Sequence, residues 1–248
     1  IIAAIAYSFI KSRPHSNADS DTQNNLKNHT TSVTGAGSTF IYPVMAKWTK
    51  QYEQESGTQI NYQAIGSGGG IEQFRAKTID FAASDEPLRI QDLRKLNAIQ
   101  FPAVISGIIP VVNIKGVKNN QLILSGPILA DIYLGVISKW NDPRIQTINP
   151  SLKLPNARII TIHRADGSGT TFNFTHYLTQ VSHTWKHKVN YSTAVSWPGR
   201  LNIGGKGNAG VASQVQSIPN SIGYVEYAYA ISNNMTQTRM LNANKKVI

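Results

Sequence analysis

The sequence predicts an α/β protein with mainly parallel sheets. Short runs that alternate apolar and polar residues take turns with amphipathic runs from residue 32 onward. Gly/Ser/Thr-rich turns join strand to helix at three places, as parallel sheets require. A long apolar run over 101–114, FPAVISGIIPVVNI, is interrupted by Gly107 and Pro110. It reads as a buried strand crossing between two lobes.

The elements follow in order. SVT is a brief strand. Residues 41–56 read as a helix, with Pro43 near its first turn and Gly57 as its stop. Val44, Trp48 and Tyr52 recur every four residues, which predicts one buried stripe. QINYQAI alternates as a strand, GSGGG breaks it, and IEQFRAK begins a helix; DFAAS is another short strand. Beyond the crossing run come a helix in ILADIYLGVI, a strand in RIITIHR and a helix in TTFNFTHYLTQV. GVASQVQSI is a helix, SIGYV a strand and EYAYAIS a helix. No internal repeat is visible.

The chain has 248 residues, 41% hydrophobic and 15% charged, which is long enough for a full core in two lobes. It has no cysteine, so disulfides, thiolate metal sites and a Cys nucleophile are excluded. No run of 18 or more apolar residues is present, and so no stable membrane insertion of a mature chain is expected. The start, IIAAIAYSFIKSR, is a ten-residue apolar run followed by Lys11 and Arg13, and it resembles the h-region of an export signal. Without an initiating Met or a charged leading region, the sequence is expected to begin inside such a signal. Residues 14–31 are polar and unpatterned and read as a linker.

The net charge of +11 is uneven: 8 Lys/Arg against 9 Asp/Glu in residues 1–93, and 16 against 4 in 94–248. The basic residues are dispersed, with no denser group than a pair, whereas a nucleic-acid site clusters them with aromatics. A solvated basic surface with a field attractive to small anions is the expectation, and no nucleic-acid partner.

Three loops stand at strand-to-helix turns: Thr34 to Phe40 (TGAGSTF), Gly66 to Gly70 (GSGGG) and Asp166 to Thr171 (DGSGTT). A lone Gly-rich turn is most simply a turn, since Gly is the default where φ is positive. Three in equivalent positions converge on the crevice outside the carboxyl ends of the strands. There, helix amino ends and small hydroxyl residues offer donors to an anion. A compact oxyanion fits better than a dinucleotide, because neither G-x-G-x-x-G with its acidic partner nor a G-x-x-x-x-G-K-[ST] loop occurs. Arg164 ends its strand at the mouth of the third loop, where a guanidinium can grip two oxygens. Asp166, two residues on, can hold that guanidinium or cap the following helix. Asp85, in AASDEPL, reads locally as a turn or cap residue ahead of Pro87.

Enzymatic readings find little support. There is no G-x-S-x-G elbow and no Ser matched to a His/Asp set. His183 and His187 have the i, i+4 spacing of a zinc helix, but the intervening general-base Glu and a third ligand are missing. They read as exposed helix residues; no metal and no cofactor is expected.

TGAGSTF, YQAIGSGGGIEQF, DFAASDEPL, DIYLGVISKWND, RADGSGTTF, GGKGNAGVA and IGYVEYAYA, in this order and spacing, resemble the periplasmic phosphate-binding proteins of bacterial high-affinity phosphate ABC transporters. The resemblance runs from about Val33 to the end. It implies a two-lobed periplasmic-binding-protein fold whose hinge lies near Phe101 to Val112 with a return near Ile222 to Tyr227. Residues 32–104 plus 223–248 would form lobe 1 and 105–222 lobe 2, with 1–31 as signal remnant and linker. The implied protein is a periplasmic monomer that closes on one phosphate without catalysis and delivers it to the permease subunits of an ABC transporter. Carried onto this chain, the backbone amides of Thr39 and Phe40 and the Thr39 hydroxyl would serve the ligand from the first loop, beside Ser38. Ser67 would serve it from the second. Arg164, Ser168, Gly169 and Thr170 would serve it from the third, with Asp166 orienting Arg164. Asp85 would accept a proton from phosphate.

Ser38 stands where the family often has Ala. The family also continues beyond the segment that here ends at KKVI, so the sequence is expected to be shortened at its carboxyl end, leaving lobe 1 incomplete. The alternatives are a phosphatase or phosphotransferase using a loop Ser, and a surface or adhesion role for the basic face.

Overall fold

A computed structural model of the chain describes residues 2–7 and 32–248, so the expected polar linker at 14–31 lies outside the described residues. The first half builds β1 (Ile2–Tyr7), β2 (Ser32–Gly37), α1 (Tyr42–Ser56), β3 (Gln59–Gln63), α2 (Ser67–Arg75), β4 (Phe81–Ser84), α3 (Ile90–Leu96) and β5 (Ile99–Ile105). Its sheet has the order β3-β2-β4-β1-β5. The site-forming strands β3, β2 and β4 are parallel and linked by α1 and α2, while β1 runs antiparallel between β4 and β5. Residues 2–7 of the apolar run read as part of an export signal form a strand of this sheet, and the rest of that run lies outside the described residues.

The apolar run at 101–114 changes sheets but is not one buried strand: Phe101 and Ile105 are exposed, because β5 lies at the edge of its sheet. Its start belongs to β5, and after Ser106 and Gly107 it continues as β6 (Ile108–Asn113) in a second sheet. The chain goes on through β7 (Ile123–Ser125), α4 (Gly126–Tyr133), α5 (Pro143–Ile148), β8 (Ile160–Arg164), α6 (Gly169–Val181) and α7 (His183–Lys188). It ends with β9 (Asn202–Gly205), α8 (Gly207–Ser217), β10 (Ser221–Glu226), α9 (Tyr227–Ser232), β11 (Thr236–Gln237) and β12 (Arg239–Leu241). The second sheet has the order β11-β6-β10-β8-β9, with β10, β8 and β9 parallel and β6 antiparallel to β10 and β11. β12 pairs in parallel with β7. The expectation of mainly parallel sheets therefore holds where strands lead into helices, and antiparallel strands close each sheet.

Three local readings need correction. The stripe of Val44, Trp48 and Tyr52 on α1 is not buried: Trp48 and Tyr52 are 42% and 49% exposed, and Ile41 and Met45 face the core instead. Four-residue spacing identifies one face of a helix but not which face meets the sheet. GSGGG does not merely end a strand, because α2 already begins at Ser67, with Gly66 as its cap at φ +91°. Finally, 223–248 does not rejoin the first sheet. β10 and β11 flank β6, and β12 joins β7, since buried apolar residues such as Tyr224 and Val225 pack into the second-sheet cores.

Packing holds the two sheets separately. Around the second sheet, Trp140, Trp185, Tyr133, Tyr224 and Phe174 form the largest core. The first sheet rests on smaller clusters around Phe40, Ile41, Met45 and Phe81, and around Phe74 and Ile79.

Candidate functional site

The carboxyl ends of β2, β4 and β8 deliver their loops to one place. Gly37 ends β2 at φ +134°, and a Cβ there would collide with the carbonyl oxygen of Ala83 in β4. The two backbones can therefore run close enough for Ser38 N–H to donate to Ala83 O at 2.8 Å. That approach sets Ser38 against Asp85, just past β4. The buried Ser38 hydroxyl donates to Asp85 Oδ1, and its oxygen accepts from Phe40 N–H at 3.0 Å. From the second loop, Ser67 Oγ accepts the Asp85 amide at 3.3 Å.

The third loop arrives from the other sheet. The Arg164 side chain is only 1% exposed. Its Nε donates to Asp166 Oδ1 at 2.8 Å and its Nη2 to Asp166 Oδ2, a fork-to-fork pair on one edge of the guanidinium. Nη1 turns inward and donates to Thr170 Oγ1 at 3.4 Å. Thr170 in turn donates to Asp85 Oδ2 at 3.3 Å. Ser168 caps α6 by accepting Thr171 N–H at 3.0 Å, so Gly169 and Thr170 stand in the first turn, where helical amides have no partner within the helix.

The loops of the two sheets touch directly. Gly68 N–H donates to Gly167 O at 3.0 Å, and Asn173 Nδ2 reaches Asp85 O at 2.8 Å. A Cβ on Gly169 would lie 2.6 Å from Ser67 Oγ and 2.7 Å from Asp85 Cβ. The seam thus admits only glycine at this contact.

The electrostatics are those of an anion site with one acid set into it. Burial pushes the Asp85 carboxyl up to about 6, helped by the charge of Glu226; the Ser38 hydrogen bond, the Arg164 charge and the Thr170 hydrogen bond pull against it. Asp166 is held below its ordinary value: burial works to raise it, and the hydrogen bonds and charge of Arg164, with the Gly207 amide, more than offset this.

All the residues expected at the site are brought together, with two differences in detail. The Phe40 ring belongs to the core of the first sheet, and its amide is engaged by Ser38 Oγ. The Ser168 hydroxyl is occupied as a helix cap and its amide donates to Thr193 O at 2.9 Å. Sequence reading missed Asn208, Asn173 and Tyr224. Asn208 is the second residue of α8, at the end of a fourth Gly-rich stretch, GGKGN, that leads from β9 into the helix; the pattern of the other three loops was the available signal. Tyr224 accepts the Arg164 amide at 3.2 Å and shares a 2.6 Å hydrogen bond with Thr171, which tertiary packing alone could reveal. His183 and His187 sit with their Nε2 atoms 3.0 Å apart, and among the described residues no group of three metal ligands occurs.

Comparison with known proteins shows the family and the fold. A family model described as a PBP superfamily domain matches residues 15–248. The phosphate-binding protein PstS of Xylella fastidiosa strain Temecula1 is 54% identical over 211 residues, covering 85% of this chain and 57% of that protein. PstS of Haemophilus influenzae is also 54% identical, covering 85% of this chain and 63% of that protein. PstS of Methanocaldococcus jannaschii is 36% identical over 242 residues, covering 93% and 62%. The chain therefore spans about three-fifths of the length of these curated relatives. Among solved structures, a high-affinity periplasmic phosphate-binding protein bound with phosphate superposes with TM-score 0.66 at 19% identity, covering 87% of this chain and 64% of that one. A phosphate-binding protein from Stenotrophomonas maltophilia superposes with TM-score 0.61 at 18% identity, covering 79% and 60%. The chain belongs to the PBP superfamily, where it is similar to the PstS phosphate-binding proteins.

Proposed function

We propose that the chain binds inorganic phosphate between its two sheets and serves an ABC-type permease in phosphate uptake, as an exported periplasmic receptor without catalytic activity. The observation that carries this reading is a buried guanidinium and a buried carboxylate on opposite sides of one seam, separated by small hydroxyl residues and a helix amino end. Thr39, Ser67 and Arg164, with the Ser168 hydroxyl and the amides of Gly169 and Thr170, would supply the attraction; the Phe40 amide would have to leave Ser38 Oγ to join them, and Ser38 and Asp166 hold Asp85 and Arg164 in place. With one edge of the guanidinium occupied by Asp166, the Nη1 edge, which also reaches Thr170 Oγ1, would meet the ligand. A carboxylate beside an anion is repulsive unless a proton lies between them. Phosphate near neutral pH always carries one, which suits Asp85 as its acceptor. The lobes would be the two sheets with their helices, hinged at the crossing around Ser106 and Gly107; the return expected near Ile222 to Tyr227 stays within the second sheet. Tyr227 N–H donates to Gly107 O at 3.0 Å and Ser106 donates to Glu226 at 2.6 Å, tying the end of β10 to that crossing.

One observation favours the rival phosphatase reading: the Ser38 hydroxyl donates to Asp85, a pairing of nucleophile and carboxylate that the sequence does not show. Calorimetric titration with phosphate and with sulfate, run beside incubation with a chromogenic phosphate ester, separates the two. Tight phosphate binding with no turnover supports the receptor. Turnover abolished by Ser38→Ala would replace it with the enzyme.

A further inference from the structure

Asn208, at the amino end of α8, is completely buried and touches both sides of the seam. Its Oδ1 accepts the backbone amide of Glu226 at 2.9 Å. A backbone N–H can only donate, so this bond settles which end of the carboxamide is which: Nδ2 must face the site. There it donates to Thr39 Oγ1 at 2.8 Å and to Thr170 Oγ1 at 3.3 Å. The Asn208 backbone amide adds a second donation to Thr39 Oγ1 at 3.2 Å.

A threonine hydroxyl accepts at two positions and donates one proton. Thr39 accepts both of its hydrogen bonds from Asn208, so its own proton has no use except as a donor. Thr170 accepts from Asn208 and from Arg164 Nη1, and its proton goes to Asp85. From this accounting we infer that Asn208 sets the hydrogen-bond polarity of the site. It fills both acceptor positions of Thr39 and, with Arg164 Nη1, those of Thr170, so that the Thr39 proton is left to an anion while the Thr170 proton is committed to Asp85. Asn208 is a positioning residue, acting through Thr39 and Thr170. Its anchor on Glu226 links that polarity to the end of β10, which is bonded to the crossing at Ser106 and Gly107.

This inference rests on the phosphate reading, and a double-mutant cycle separates the two. Phosphate affinity is measured by calorimetry for the parent, Asn208→Ala, Thr39→Val and the double variant, with thermal unfolding recorded alongside to register loss of the Glu226 bond. Each single variant is expected to bind phosphate at least tenfold more weakly. The double variant should be no more than about threefold weaker than the weaker single one, because Asn208 has no hydroxyl left to direct. Losses that multiply, or an Asn208→Ala variant with the parent's affinity, overturn the inference and leave the phosphate reading standing. A parent that does not bind phosphate overturns both. If Asn208→Ala fails to fold, Asn208→Asp retains the acceptor for Glu226 and enters the same cycle. Its outer oxygen can only accept and draws the Thr39 proton to itself, so the loss in the threonine background should exceed that in the valine background; equal losses overturn the inference.

Discussion

Asp85 and Arg164 divide the work of recognition between them. Arg164→Ala removes a buried charge-assisted donor and leaves Asp166 without its partner; phosphate affinity is expected to fall by about 2–5 kcal/mol. A titration showing a loss within about threefold, roughly 0.7 kcal/mol, would end the assignment of Arg164 as the main anion grip. Asp85→Asn is expected to act on selectivity. Sulfate has no proton to give Asp85, so two acceptors would face each other in the parent, and an amide relieves this by donating. Competition by excess sulfate should therefore be weak in the parent and clear in the variant. The same substitution has a stability signature. A carboxyl pushed up to about 6, from an ordinary value of 3.8, holds more protons folded than unfolded between those limits. Its contribution to stability is then lost as pH rises through that window and stays lost above it. Without phosphate, Asp85→Asn should be more stable than the parent at pH 7.5, by at most about 3 kcal/mol, with the gap closing by about pH 4. Denaturant unfolding at both pH values measures it.

At the scale of elements, the site is a meeting of helix amino ends: α2 at Ser67, α6 at Gly169 and α8 at Gly207. The first two amides of α8 are spent on site residues, Gly207 on Asp166 at 3.0 Å and Asn208 on Thr39. α8 therefore fixes the Arg164–Asp166 pair and the first loop together. The start of α6 packs against the opposite loops with no room to spare, which makes Gly169→Ala a sharp test. Alanine favours a helix over glycine by up to ~1 kcal/mol, so α6 itself should tolerate it. Its methyl group would strike Ser67 and Asp85 and hold the seam apart. Phosphate binding should weaken tenfold or more, in line with an overpacking cost of about 1–3 kcal/mol, while the melting temperature without ligand stays near the parent's. Equal losses of binding and of fold would show that the contact is merely structural.

For the whole molecule, the two sheets are unequally covered. The second carries the large aromatic core, whereas edge strand β5 turns Ile99, Phe101 and Ile105 outward, the last 74% exposed. On the same sheet's helix α1, Tyr42, Trp48 and Tyr52 are also exposed. An edge strand with an apolar outer face invites association, and large apolar patches seldom stay bare. The folded chain is expected to enhance the fluorescence of an apolar-surface dye, and Phe101→Lys with Ile105→Lys should reduce that signal by half or more. A parent that leaves the dye dark would mean that these residues are covered in solution.

Periodicity and turn chemistry were enough to determine the α/β class, the crossing at 101–114 and the three loops, because each depends on residues close together in the chain. Arg164 and Asp166 were legible as a pair for the same reason. The motif order also carried a resemblance from which Thr39, Ser67, Asp85 and Thr170 could be placed as partners. Local sequence alone left Asp85 as a turn residue, since what distinguishes it is burial against Ser38 and Thr170, the latter 85 positions away. The exposed face of α1 was misjudged because spacing defines a stripe without saying what lies opposite. The pairing of 223–248 with the second sheet was equally out of reach: strand partners are chosen by which apolar surfaces remain to be buried. Asn208 shows the limit most clearly. Its side chain gains meaning only where Thr39, Thr170 and the amide of Glu226 converge, and that point exists only after both sheets have folded and met.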